Sequence, residues 1–511
     1  MDTLAGMGRA TREHDETTTG MEVGGAHPEF RLDLERIRFS PSFARLASVT
    51  QVISQPGSGA MVHNRLTHSI KVTAVARAIA VRVAAEIAGT SPRVPAGSCD
   101  AVVVQAAASA HDLGHPPFGH LGESVLDRIA RTELGLPDGF EGNAQTYRIV
   151  TALDVVDGVP AGLNLTAAVR TAIAKYPWTS TVDPADIEAH GAPRGVRLAN
   201  GEARVRKYSA YAIDAVDLER ARAEHGSLRP FEQSVEAAVM DVADDVAYSI
   251  HDVDDFYRAG ILGHTSISSE LREWTERAGE LRATDDDELV GSIRPGAGLE
   301  LLRRKMHRDD AWIASDDAFA DAVATIADDL VDGLLARPYD GSITAERTLS
   351  SFTSRWIAHL QQSVVATGVD TLRAGPVTLE AGAWHEVEIL KFVHKRFVLD
   401  RPDLAMYQRG LGRSLVRTVR SLIAWLDDEH DSARVPARLR ELIELAREGY
   451  RRTAIERPSL VRPLDGAAIE RASVSRGVID YVASLSDSQA LAVSEAVSGR
   501  ADRLWTLGQS L

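Results

Sequence analysis

Residues 108–123 read Ala-Ser-Ala-His-Asp-Leu-Gly-His-Pro-Pro-Phe-Gly-His-Leu-Gly-Glu, and the rest of the chain is organised around them. The apolar run from Ala101 to Ala110, with Val102, Val103 and Val104, predicts a helix that delivers His111 and Asp112 side by side at its end. An imidazole nitrogen beside a carboxylate oxygen suits Zn, Mn or Fe and, less well, Mg. Gly114 and Pro116-Pro117 stop that helix. A new helix opening at Pro117 or Phe118 puts His120 and Glu123 three apart, on one face and within hydrogen-bonding reach. Such a pair is a general acid/base with its orienting carboxylate, one loop away from a metal. Any one of His111, His115 or His120 alone reads as a satisfied core or surface histidine. Three of them in ten residues, bracketed by glycines and prolines, read as a site.

Two ligands do not close a metal site, so others must arrive from elsewhere in the chain. Upstream, Arg65-Leu66-Thr67-His68-Ser69 opens an amphipathic pattern running to about Ile87, with His68 in its first turn. Downstream, residues 240–255 read as a helix whose stripe is Val235, Val239, Val242, Val246 and Ile250. Asp244, Tyr248 and Asp252 lie beside that stripe at intervals of four, one above the other. Carboxylates next to a buried face are expensive unless something positive is bound there. Asp241, Asp245 and Asp255 are read as a solvated acidic face.

The order His68, His111-Asp112, Asp244 resembles that of the HD-domain phosphohydrolases. More narrowly, RLTHS, HDLGHPPFGHLGE, FEGNAQT, GLNLT, KYP and ADDVAYSIHDVDD resemble the deoxyguanosine triphosphate triphosphohydrolases and their dNTPase relatives. A late segment, Asp480 to Asp487, joins the likeness, which runs from about Asp33 to Asp487. The resemblance implies an all-α fold, an HD-domain helical core with at most a few short strands. It implies one divalent metal per site (Mn, Mg, Fe, Co or Zn) on His68, His111, Asp112 and Asp244, with His120 and Glu123 as the catalytic pair. Gln51 would lie against the deoxyribose, Arg65 against the triphosphate, and Tyr248 and Asp252 against the sugar. His115, Asn143 and Lys207 complete the substrate contacts, although Asn143 also reads as a helix-start residue and Lys207 as a solvated lysine. Some relatives carry His where this chain has Gly142, and a Lys where it has Val49. The implied reaction is hydrolysis of a dNTP, dGTP favoured, to deoxynucleoside and inorganic triphosphate. By the same analogy the chain forms a homo-oligomer, tetramer or hexamer, with an activating dNTP and single-stranded DNA left open as partners. Another HD phosphohydrolase, cleaving a phosphodiester or monophosphate, is the alternative. A non-catalytic dNTP sensor or nucleic-acid-binding oligomer is a third, against which the intact His120–Glu123 pair speaks.

Composition sets the outer bounds. The chain has 511 residues, 44% hydrophobic and 5% aromatic, enough for a large, mainly helical core. The single cysteine, Cys99, excludes an internal disulfide framework and a cysteine-rich zinc site. A net charge of −16 argues against a chain-wide nucleic-acid coat. The polar N-terminus and the lack of a membrane-length apolar run point to a cytoplasmic protein that meets no membrane. Residues 1–28 are expected to be a disordered tail, 29–265 the metal-dependent core, and 266–511 a helical region completing the nucleotide pocket and the oligomer contacts. Gln55 to His63 reads as a connector, Asp183 to Gly201 as an exposed excursion, and Val377 to Leu379 as a short strand.

Overall fold

The structure is a computed structural model and describes residues 8–14, 27–52, 63–160, 162–226, 228–461 and 465–501. The connector expected at Gln55 to His63 lies outside them except for His63, as does most of the expected N-terminal tail. The described part of that tail departs from the expectation. Arg12 pairs with buried Asp33 at 2.6 Å, and Glu13 pairs with Arg170 at 2.8 Å. Composition reads local polarity and does not register ion pairs closed across the fold.

Helices dominate, as the sequence predicts. Those that position the site are α1 (Pro28–Phe39), α2 (Arg65–Arg82), α3 (Ala101–Ala110), α4 (His120–Thr132), α5 (Gly142–Arg148), α6 (Ala167–Ile173) and α7 (Val235–Arg258). Capping side chains fix where the central ones begin. Asn64 accepts from Thr67 N at 2.9 Å, Asp100 from Val102 N at 2.7 Å, and Ser234 from Ala237 N at 3.1 Å. Helix α3 is the axle: its Val103, Val104, Ala106, Ala107, Ala108 and Ala110 are buried, and α1, α2, α6 and α7 lie against it. The alanines let those backbones approach closely, while each fully buried valine contributes about 1.5–3 kcal/mol of transfer free energy.

The remainder is also helical. Helix α8 (Ala381–His394) crosses α7, and α9 (Pro402–Leu426) lies along α4. Helices α10 (Ala437–Glu456) and α11 (Gly466–Ala483) form an antiparallel pair behind α5. In α11, Gly477 is required by contact: a Cβ there would lie 2.5 Å from Ile443 Cγ1 and 2.8 Å from the Ile443 backbone. Among the described residues there are two two-stranded antiparallel sheets. One pairs Val364–Ala366 with Val377–Leu379, at the strand expected. The other pairs Val196–Ala199, inside the stretch read as an exposed excursion, with Glu202–Val205 just beyond it.

Candidate metal and catalytic centre

Helix α3 ends at Ala110, and the chain then turns through residues 111–119 before α4 begins at His120. The start falls later than Pro117 or Phe118, because Phe118 (φ 65°) and Gly119 (φ 59°) adopt left-handed backbone. Remote parts of the chain hold this turn. Arg45 donates to Leu113 O at 2.7 Å and His115 O at 2.8 Å, and also to Leu485 O at 3.0 Å. Phe118 N donates to Asp487 Oδ1 at 2.8 Å, and Thr146 Oγ1 accepts from Gly114 N at 2.9 Å. Gly114 admits no side chain, since a Cβ would lie 2.1 Å from Gly142 O.

The result is a converging set of ligand atoms. Asp244 Oδ1 lies 3.3 Å from His68 Nε2 and 3.5 Å from His111 Nε2, and Asp112 Oδ1 lies 3.5 Å from His111 Nε2. His68, His111 and Asp112 present ligand atoms within 4.8 Å of one another. His111 Nδ1 donates to Ala108 O at 2.7 Å, which fixes the tautomer and aims Nε2 inward. That Nε2 is buried without an aligned hydrogen-bond partner among the described residues. Two imidazoles and two carboxylates around an unfilled buried nitrogen fit a divalent cation, and His/Asp chemistry suits Mn, Fe, Co or Zn better than Mg. Burial pulls the His111 pKa down, but Asp112 and Asp244 outweigh it and raise it to about 9. A proton thus competes with metal for this nitrogen.

Asp112 is held by both neighbours. Arg65 Nη1 donates to its Oδ2 at 2.8 Å, and His115 Nδ1 lies 3.0 Å from its Oδ1. Burial opposes its charge, yet Arg65 and the two imidazoles keep its pKa well below the usual carboxylate range. Burial and the Arg65 charge bring His115 down to about 4, so it is neutral at pH 7. Gly119 lies against Arg65: a Cβ there would stand 2.7 Å from Nη2.

Next to the ligand cluster, His120 Nδ1 donates to Glu123 Oε2 at 2.9 Å, and the His120 ring is edge-on to His115 with centroids 5.0 Å apart. The His120 side chain is 64% exposed and Glu123 is buried, so the pair faces outward from a fixed carboxylate. Glu123 Oε1 accepts from Gly142 N at 3.3 Å and from Lys207 Nζ at 3.0 Å. Burial raises its pKa, but the His120 hydrogen bond and Lys207 hold it well below normal. Lys207 also bonds Glu141 Oε1 at 2.7 Å, and Asn143 Nδ2 donates to the same oxygen at 2.9 Å. Glu141, not Asn143, caps α5. Gln51 is buried, its backbone lies against Gly119, and its Oε1 has no hydrogen-bond partner among the described residues. Tyr248 and buried Asp252 lie one and two turns beyond Asp244 on α7.

The solvated acidic face expected on α7 is not there. Asp241 is buried on Lys175 at 2.7 Å and on Arg194, Asp255 is buried on His63, and Asp245 pairs with Lys391 at 2.9 Å. Which cations would arrive from outside the helix was invisible in its own periodicity. Lys175 itself escaped assignment to the site although it sits in the quoted KYP string. Its Nζ is 3.1 Å from Asp244 Oδ2. With Arg194, Lys207, Lys391 and Trp312 it lines a cavity of about 420 Å³ beside the ligand cluster. That volume falls within the range of small-molecule sites.

The HD domain family model matches residues 65–154, which include His68, His111, Asp112, His120 and Glu123. A deoxyguanosinetriphosphate triphosphohydrolase-like protein of Corynebacterium efficiens is 31% identical over 414 residues, covering 77% of this chain and 80% of that one. One of the same description from Corynebacterium glutamicum (strain R) is 32% identical over 385 residues, 73% and 74% of the two chains. Another from Streptomyces coelicolor is 29% identical and covers 92% of each.

Proposed function

This chain belongs to the family of deoxyguanosinetriphosphate triphosphohydrolase-like proteins, and from that premise we propose that it is a metal-dependent dNTP triphosphohydrolase with dGTP as favoured substrate. The observation that carries the reading is the meeting of His68, His111, Asp112 and Asp244 next to an outward-facing His120–Glu123 pair. In this reading those four residues hold one divalent ion. When bound, that ion supplies Lewis acidity at the α-phosphate.

The chain's own groups do the rest. Glu123, anchored by Gly142 N and Lys207, accepts from His120 Nδ1–H and leaves Nε2 free to move a proton as water attacks the α-phosphorus. Arg65 and the cations of the adjacent cavity, Lys175 and Lys207 first, receive the triphosphate. Asn143 and His115 border the reacting end. Tyr248 lies where a 2′-hydroxyl would project, and Asp252 with Gln51 binds the 3′-hydroxyl. Excluding one hydroxyl and pairing the other selects deoxyribose without reading the base. The homo-oligomer, the activating dNTP and the single-stranded DNA suggested by the likeness belong to this proposal as well.

Incubation of the purified protein with each dNTP singly and in mixture, with Mn or Mg, tests it. Deoxynucleoside and inorganic triphosphate are the expected products, and His120→Ala should abolish them with metal content unchanged. Release of pyrophosphate or orthophosphate as first product would refute the assignment. Activity confined to mixtures would reveal the activating nucleotide.

A further inference from the structure

Asp252, given above to the 3′-hydroxyl, has a neighbour that the proposed function leaves unused. The last residue of α8, His394, places Nδ1 2.8 Å from Asp252 Oδ2. Both side chains are almost wholly buried, at 4% and 3% exposure. Two aromatic residues of α7 fix the imidazole: Tyr248 with ring centroids 5.4 Å away and Phe256, edge-on, at 5.3 Å. Neither ring nitrogen of His394 has an aligned hydrogen-bond partner among the described residues, and neither does Asp252 Oδ2. A carboxylate and an imidazole left unsatisfied in the interior are costly unless they serve each other or a ligand. They are within contact distance and differ only in alignment, which is the usual state of site hydrogen bonds before substrate arrives.

We propose that His394 is a positioning residue for sugar recognition. Its Nδ1–H donates to Asp252 Oδ2 and so keeps Oδ1 turned toward the 3′-hydroxyl, and its ring braces Tyr248 on the same wall. The region beyond residue 265 thereby contributes to deoxyribose selection through a side chain that never touches the nucleotide. This inference rests on the sugar contacts proposed above.

The test compares dGTP with 2′,3′-dideoxy-GTP in steady state, and deoxyguanosine with dideoxyguanosine in calorimetric binding to the metal-loaded protein. The wild type should prefer the 3′-hydroxyl in both assays. In His394→Leu that preference should shrink about tenfold, the worth of one hydrogen bond to a charged group, while the dideoxy compounds are handled as before. His394→Asn, whose side-chain nitrogen can stand near the place of Nδ1, should restore part of it. His394→Leu combined with Asp252→Asn should be no worse than Asp252→Asn alone. An undiminished preference in His394→Leu, or equal losses with and without the 3′-hydroxyl, overturns the inference and leaves the triphosphohydrolase reading standing. A wild type indifferent to the 3′-hydroxyl overturns the sugar contacts and this inference together.

Discussion

Removing the carboxylate of Asp480 should destabilise the protein by about 3–5 kcal/mol, the cost of stranding a buried charge. Asp480 is fully buried and accepts from Arg148 Nε at 2.8 Å and from Gln145 Nε2 at 3.2 Å. Arg148, only 2% exposed, has one other carboxylate partner among the described residues, Asp214 at 3.1 Å. Burial pushes the Asp214 pKa up to about 6, so it is a reluctant anion and a weak replacement. Asp480→Ala therefore leaves a guanidinium in the interior with half its counter-charge. Arg148→Met strands Asp480 and Asp214 instead, at similar cost. If the two effects were independent, their sum of about 6–10 kcal/mol would consume most of a typical stability of 5–15 kcal/mol. The physical expectation differs: with both partners gone, Asp214 faces the buried Arg476 guanidinium and neither member of the Arg148–Asp480 pair is left stranded. The double variant should thus be no less stable than the worse single one, a coupling of at least about 3 kcal/mol. Urea unfolding of the metal-free variants followed by circular dichroism measures this. Additivity to within about 0.5 kcal/mol would refute the reasoning.

Three further outcomes are expected. Asp244→Ala should leave the purified protein without stoichiometric divalent metal by elemental analysis, and full retention would show that a different carboxylate closes the ligand set. Gly119→Ala forces a side chain onto left-handed backbone (φ 59°) and to 2.7 Å from Arg65 Nη2. It should cost about 1–2 kcal/mol and raise KM for the nucleotide, so unchanged KM and melting temperature would count against Arg65 as a phosphate contact. The His111 pKa, raised to about 9 in the folded state, exceeds its unfolded value near 6.5, so protonation stabilises the metal-free fold. That contribution, about 3 kcal/mol, is complete below pH 6.5 and lost as pH rises through 9. Urea midpoints of metal-free protein at pH 6 and pH 9.5 measure it, and His111→Gln should flatten the difference.

Much of the centre is legible in the amino-acid order because its parts are local. His111-Asp112 follows an apolar run with a capping Asp100, and His120 and Glu123 are one helical turn apart, so short-range geometry alone predicts both pairs. His68 and Asp244 carry helix positions that periodicity assigns. Less legible is which of two adjacent carboxylates turns inward. Asp244 and Asp245 differ by about 100° around α7, and the cations waiting on each side, Lys175 and Lys391, come from elsewhere in the chain.

What the sequence by itself determined is the helical class, the candidate ligand types and the His120–Glu123 pairing, since propensity, capping and spacing act within a few residues. The rest was decided by tertiary structure. Arg45 and Asp487 clamp the turn between the two pairs, Arg148 is buried on Asp480, and the aspartates expected in solvent are buried on Lys175 and His63. Each of these joins residues tens to hundreds of positions apart. A charge's environment depends on which partners the whole fold brings within a few ångströms, and no local pattern encodes that distance.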